Sequence, residues 1–230
     1  MDLPVGPPVP PKEAVSPSRT PLPGRSVSLV PLTPDHAPAL WRHLGGDANR
    51  WRWTYMLGAG FPTYPSCEEA IATWSASRDP LFYAVVVSGE ALGLMSYMSV
   101  VPAHRRIEIG SVILGERLQR SRAATEAFYL LLRRAFEDLG YLRVEWKANA
   151  LNEPSLAAAR RLGFAFEGVF RKHMVVKGRQ RDTAYFSITD AEWPAVKGGL
   201  EAWLADGNFD EHGKQKRGLR ECREAFKQGP

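Results

Sequence analysis

The sequence predicts a mixed α/β fold, a central sheet with helices on both faces. Three observations carry that reading. Strand-like runs such as "LFYAVVV" and "RRIEIGSVIL" are interleaved with stretches of helical periodicity. The body closes on an antiparallel end, "AFEGVFRKHMVV", a "KGR" turn and "RDTAYFSI". Finally, 230 residues with 44% hydrophobic and 24% charged side chains suffice for one full core plus appendages.

Residues 1–24, "MDLPVGPPVPPKEAVSPSRTPLPG", hold eight prolines, which lack the N–H that a helix or central strand needs. They read as an extended arm, dispensable for folding. "RSVSLVPL" then alternates as a strand does, and "PDHAPALWRHLGG" is a helix begun near Thr33 or Pro34 and stopped by Gly45 and Gly46. After the aromatic "RWRWTYM", "PSCEEAIATWSAS" is a second helix, with Ser66 as cap and Glu69 at the capping-box spacing. Three strands follow, "LFYAVVV", "ALGLMSYMSVV" and "RRIEIGSVIL", the first two joined by the turn at "SGE". A helix from about Gln119 to Leu139 puts Ala124, Phe128, Leu131, Ala135 and Leu139 on one face and ends at Gly140. "LRVEWKA" is a further strand, and "NEPSLAAARRLGF" a short helix capped by Asn152 and closed by Gly163. Beyond the closing hairpin, a helical piece, "AEWPAVKGGLEAWLA", leads into polar sequence. The expected layout is an arm over 1–24, a domain over 25–195, and a helical piece with a polar tail over 196–230.

The formal charge of +5 is mild but uneven, with seven Lys or Arg against the single Glu167 in residues 160–181. So local a patch suits a phosphorylated ligand better than a nucleic-acid track, which needs a broader basic surface. Cys67 and Cys222 stand far apart without metal-ligand spacing, so neither a disulfide framework nor a metal site is expected, and a cytoplasmic protein is the plain reading. No apolar run approaches the roughly 18 residues of a membrane span, and the N-terminus lacks a signal-peptide core.

Two features ask for a ligand. Arg117, Arg120 and Arg122 crowd the start of the long helix, where unpaired N–H groups already carry about half a positive charge. Either something anionic sits among them, or they form a solvated turn paired to Glu116 and Glu126. In "RWRWTYM", Trp51, Trp53 and Tyr55 belong to the core or wall a cleft whose aromatic faces attract a cation. The stretch is too short to favour single-stranded nucleic acid.

The order of elements, with "EIGSVIL", "LQRSRAATEAFYLLLRRAFEDLGY", "NEPSLAAARRLGFAFEGVFR" and "GRQRDTAYFSI", resembles the GNAT superfamily of acyl-CoA-dependent N-acyltransferases over roughly residues 25–195. The branch it is most similar to is the RimJ/RimL type. The resemblance implies a mostly antiparallel sheet whose fourth and fifth strands splay around the cofactor. It implies acetyl-CoA or another short acyl-CoA as co-substrate, no metal, and as acceptor the primary amine of a small molecule or protein N-terminus; a homo-oligomer stays open. Backbone groups around Val112, Ile113 and Leu114 would hold the pantetheine arm and stabilise the oxyanion. The phosphates would sit on Gln119, Arg120, Ser121, Arg122, Ala123, Ala124 and Thr125. Of the family's Gln/Arg-x-x-Gly-x-Gly/Ala loop, Gln119 and Ala124 match, while Arg122 replaces the first glycine and either supplies its guanidinium or swings away.

By the same resemblance Asn152 would hold the pantetheine arm besides capping its helix, and Ser155 would protonate the departing thiolate. Glu108 is the candidate base: Ile107 and Ile109 should face the core, so Glu108 points to the side where substrate binds in similar proteins. His173 is the second candidate, because histidine titrates in the right range. Trp51, Trp53 and Tyr55 would line the acceptor site. A non-catalytic acyl-CoA-binding or protein-interaction module of the same fold is the rival, and an RNA-associated protein a weaker one.

Overall fold

The computed structural model describes residues 3–226. Its strands are β1 (Leu22–Pro23), β2 (Ser28–Pro31), β3 (Leu81–Val87), β4 (Glu90–Val101), β5 (Arg106–Leu114), β6 (Arg143–Asn149), β7 (Ala165–Val176) and β8 (Arg179–Thr189). They form one sheet in the order β1-β2-β3-β4-β5-β6-β8-β7. Every neighbouring pair is antiparallel except β5 and β6. The helices are α1 (Ala37–Leu44), α2 (Tyr64–Ala76), α3 (Arg122–Arg133), α4 (Glu153–Leu162), α5 (Trp193–Leu204) and α6 (Leu219–Glu224). None of the described helices is long and apolar enough to cross a membrane.

Alternation along β3 explains why the sheet is covered on both sides. Leu81, Tyr83 and Val85 enter one core with Phe128 and Leu131 of α3 and Leu156 of α4; Phe82 and Ala84 enter the other with Leu40 of α1 and Ile71 of α2. On β5 the rule breaks partway along the strand. Ile107 and Ile109 lie in the first core, but Ile113, an even number of residues later, lies in the second. The pairing Ser96↔Gly110 followed by Leu94↔Ile113 leaves one extra residue on β5, a bulge in which Ser111 has φ +49. Such a bulge inverts the faces of the residues beyond it and bends the strand.

Several boundaries differ from expectation. The second helix is capped by Thr63, whose side chain accepts from the Ser66 N–H while Ser66 accepts from the Thr63 N–H; Ser66 is its third residue, not its cap. The long helix begins at Arg122, capped by Ser121, because Gln119 is extended and Arg120 left-handed, and its last turn, Arg134–Asp138, is a π-helix. The arm is not separate from the body: Leu22–Pro23 pairs with β2 and Ala14 is buried. The Val15 N–H reaches Leu139 O (2.9 Å), and Tyr83 Oη donates to Ser18 O (3.2 Å). The polar C-terminal stretch is folded too, since α6 buries Leu219 and Cys222 against α4 and α5.

Candidate active site

β5 and β6 touch over three residues only, Arg106, Ile107 and Glu108 against Arg143, Val144 and Glu145. Beyond Glu108, β5 follows β4 to Leu114 while β6 follows β8 to Asn149, so the two parallel strands part. Each is followed by a helix, α3 after β5 and α4 after β6, and both helix N-termini stand at the carboxyl end of the gap. The carboxyl ends of diverging parallel strands are a natural ligand crevice, and helix N-termini favour anions.

The turn into α3 suits a phosphate. Ser121 Oγ accepts from the Ala124 N–H (3.0 Å) and donates to Leu118 O (2.7 Å), and Thr125 Oγ1 donates to Ser121 O (3.3 Å). The N–H groups of Arg122 and Ala123 find no acceptor among the described residues. Arg120 is held at φ +59, a conformation that costs a residue with a Cβ about 1 kcal/mol. Gln119 Nε2 folds back to Leu114 O (3.2 Å). Ile113 and Leu114 pair with Leu94 and Gly93 along one edge of β5, and Val112 lies in the bulge.

The three arginines have different fates. Arg117 pairs with Glu90 (2.9 Å), which also takes His43. Arg122 lies over the Phe209 ring (4.5 Å) and binds Asp206 (2.6 Å) and Leu204 O in the C-terminal stretch. It has swung away from the loop, leaving its backbone N–H there. Glu126 accepts instead from the Arg25 and Ser26 N–H groups, so neither reading anticipated these partners. Of these three, Arg120 alone is exposed without an ion-pair partner among the described residues.

Glu108 and Ser155 approach the gap from opposite faces of the sheet. Lys147 Nζ lies 2.8 Å from Glu108 Oε2, whereas Trp146, the residue before it, donates from Nε1 to Ser155 Oγ (3.0 Å). Successive residues of a strand point to opposite faces, so the carboxylate and the hydroxyl are separated by the sheet and joined through the split. With one lone pair of Ser155 taken by the indole, its hydrogen stays available to another acceptor. Asn152 Oδ1 accepts from the Ser155 N–H (3.3 Å), fixing the first turn of α4.

Glu108 is buried, with Oε2 held also by Ser99 Oγ (3.1 Å) and Oε1 lying toward Gly110, whose missing Cβ would stand 3.3 Å from it and 2.4 Å from Met98 Sδ. Around it runs a ladder of charges. Lys147 also meets Glu145 (3.0 Å), Glu145 meets Arg143 (2.8 Å), and Arg143 meets Glu167 (2.5 Å). Burial alone would lower the Lys147 pKa, but Glu108 and Glu145 outweigh it and hold the ammonium raised. Burial would likewise raise Glu145, yet Arg143 and Lys147 hold it below the ordinary carboxylate value.

His173 is exposed on the bulged middle of β7, with Nδ1 3.0 Å from Thr183 Oγ1, edge-on to Phe170 and Tyr185. Lys147 lies 5.4 Å from the Tyr185 ring, which links His173 to the Glu108 cluster. Across from the hairpin, Trp51 is 60% exposed with Arg52 over its ring (4.4 Å), and Tyr55 is half-buried. Trp53 is corrected as a cleft residue. Its ring sits 4.7 Å from Phe61 and beside Trp74, and its N–H donates to Leu44 O (2.9 Å), so it is core. Lys177 at the hairpin turn donates to Trp53 O (2.7 Å), closing one end of the cleft. Lys147, Tyr185 and Thr183 were missed by sequence reasoning; the polar alternate positions of β6 and β8 were the available signal. Among the described residues no His, Cys, Asp and Glu side chains gather into a metal-binding group.

Comparison with known proteins adds a family. A profile of the acetyltransferase (GNAT) domain matches residues 26–165. The crystal structure of a GCN5-related N-acetyltransferase from Brucella melitensis is 43% identical with a TM-score of 0.90, over 93% of this chain and 98% of that one. That of a probable acetyltransferase (GNAT family), so named, from Chromobacterium violaceum ATCC 12472 is 40% identical with a TM-score of 0.77, over 84% and 98%. YdaF of Bacillus subtilis (strain 168), whose name marks it provisionally as a ribosomal N-acetyltransferase, is 33% identical over 113 residues, 49% of this chain and 61% of that protein. The chain spans between 55% and 63% of the length of the curated relatives it matches.

Proposed function

Since the chain belongs to the GNAT acetyltransferase family, we propose that it transfers an acetyl group from acetyl-CoA to a primary amine, with Glu108 and Ser155 serving the two ends of the reaction from opposite faces of the sheet. The observation that carries this is the split between β5 and β6, with a carboxylate oxygen directed along one face and a hydroxyl hydrogen available on the other. The acceptor nitrogen forms its bond to the acyl carbon as the carbon–sulfur bond breaks. Glu108 Oε1 receives the nitrogen's proton, directly or through water, and Ser155 relays a proton from water to the sulfur. The α3 turn, from Gln119 to Thr125, would hold the phosphates, with Arg120 as the side chain that reaches them. Asn152 and the free edge of β5 at Val112, Ile113 and Leu114 would hold the pantetheine arm.

The test is coenzyme A release across a panel of primary amines, read beside thermal stabilisation by acetyl-CoA. Ser155→Ala and Glu108→Gln should each slow turnover roughly tenfold to a thousandfold while stabilisation persists. Glu108→Gln should also remove the acidic limb of the pH profile. A limb that survives there but vanishes in His173→Gln assigns the base to His173. Stabilisation without release for any amine would leave a coenzyme-binding module.

A further inference from the structure

Of the four cations packed around Glu108, one has no carboxylate in ion-pair contact among the described residues. Along this face, Arg106, Arg143, Lys147 and Arg181 stand against Glu108, Glu145 and Glu167. The first three cations each have a carboxylate within 4.0 Å, and Arg181 has none among the described residues. It is half-buried on β8, and alternation puts it on the face of Thr183, Tyr185 and Ser187, near enough to Glu108 to feel its charge. Its neighbour Asp182 belongs to the other side and takes the Lys172 N–H and Gln180.

The guanidinium is also oriented. Arg181 Nε donates to Thr183 Oγ1 (3.2 Å), and the Thr183 hydroxyl, itself buried, is held in turn by a hydrogen bond with His173 Nδ1 (3.0 Å). Holding the head by Nε leaves both Nη groups, the arms of the fork that matches a carboxylate, with no partner among the described residues. The turn at Lys177 docks on Trp53 O before Arg181 along the chain, and beyond Arg181 on the same face Tyr185 packs against Lys147, the partner of Glu108. Burial lowers the Arg181 pKa, with Glu108 acting against it, so the charge is partly desolvated and under-compensated.

We infer that Arg181 binds a carboxylate of the acceptor, so that the enzyme selects amines carrying an acidic group on the same molecule, as in an amino acid or an acidic peptide N-terminus. This rests on the transfer reading above and names its substrate class. A neutral or purely cationic amine would leave Arg181 unpaired and bring further positive charge beside Lys147.

The experiment compares matched acceptors: amino acids against their amides, and peptides with Asp against Asn at the second position. Both turnover and binding to the desulfo-CoA complex are measured. Acids should exceed their neutral counterparts in kcat/KM by about tenfold or more, chiefly through KM, the scale of a lost charge-assisted contact. Arg181→Gln should abolish the difference with coenzyme affinity unchanged, and Arg181→Lys should keep part of it. Preference among amino acids but not peptides, or the reverse, assigns the source of the carboxylate. An acid preference in binding that Arg181→Gln removes, without turnover of any acceptor, upholds Arg181 and overturns the transfer reading. No acid preference in the wild type, or one that survives Arg181→Gln, overturns the inference.

Discussion

Arg120 and Arg122 are two residues apart and share a charge, but their surroundings divide them. Arg122 spends its guanidinium on Asp206, Leu204 O and the Phe209 ring, tying the start of α3 to the C-terminal stretch, while Arg120 is exposed at the mouth of the turn. Arg122→Ala should therefore lower the melting temperature and leave coenzyme A affinity nearly unchanged. Arg120→Ala should do the reverse and weaken binding by about 1–3 kcal/mol, measurable by isothermal titration. Equal loss of affinity in both would return Arg122 to the phosphate site. The sequence showed the cluster and the missing glycine, because both are local. It could not show Asp206, which lies 84 positions away and meets Arg122 only after the tail has folded back. The face that Glu108 takes was legible for the same local reason: it sits between Ile107 and Ile109, which enter the core as expected. Its cation Lys147 required knowing that β5 and β6 are neighbours.

Most elements were legible because hydrophobic period and capping chemistry are short-range; what escaped were elements held by partners elsewhere. The proline arm is the clearest case. Its backbone is extended as its composition demands, yet from Ala14 onward it borrows hydrogen-bond partners from Pro102 and Leu139 and adds β1 to the edge of β2. Deleting residues 1–12 should leave stability unchanged, since residues 3–12 are exposed. Deleting 1–23 exposes the β2 edge and removes the buried Leu22 and Ala14. Burial of one leucine is worth about 2 kcal/mol, so the melting temperature should fall by roughly 5 °C or more. Equal melting temperatures for the two truncations, by calorimetry, would show the arm adds nothing to the fold. The π-helical last turn of α3 was illegible for another reason: its residues repeat with helical spacing, and only the backbone hydrogen bonds reveal the wider turn.

Across the whole molecule, an ion-pair ladder runs beside the point where β5 and β6 part. It runs from Glu108 on β5 through Lys147, Glu145 and Arg143 on β6 to Glu167 on β7, with Ser187 of β8 donating to Glu167. β5 and β6 share only three paired residues, and Lys147–Glu108 and Arg106–Glu145 are the ion pairs that cross between them among the described residues. Arg143 chiefly lowers the Glu167 pKa, and in Glu145 burial is outweighed by Arg143 and Lys147, so both folded carboxylates titrate below their ordinary value of 4.5. A carboxylate with a depressed folded pKa binds fewer protons folded than unfolded, so its stabilisation is complete above the unfolded pKa and is lost as pH falls through the folded one. Thermal stability should hold near neutrality and fall steadily below about pH 5. Glu145→Gln removes the carboxylate shared by Arg143 and Lys147, whose side chain is only 8% exposed. It should cost about 3–5 kcal/mol at pH 7, the scale for breaking a buried pair, and flatten the acidic decline because one of its protonation sites is gone. Calorimetry of both proteins from pH 3 to 7 reads the two effects separately. A wild-type melting temperature that stays level down to pH 3 would mean the ladder contributes no net stabilisation, leaving the backbone pairing of β5 and β6 and the helices beneath to hold the split.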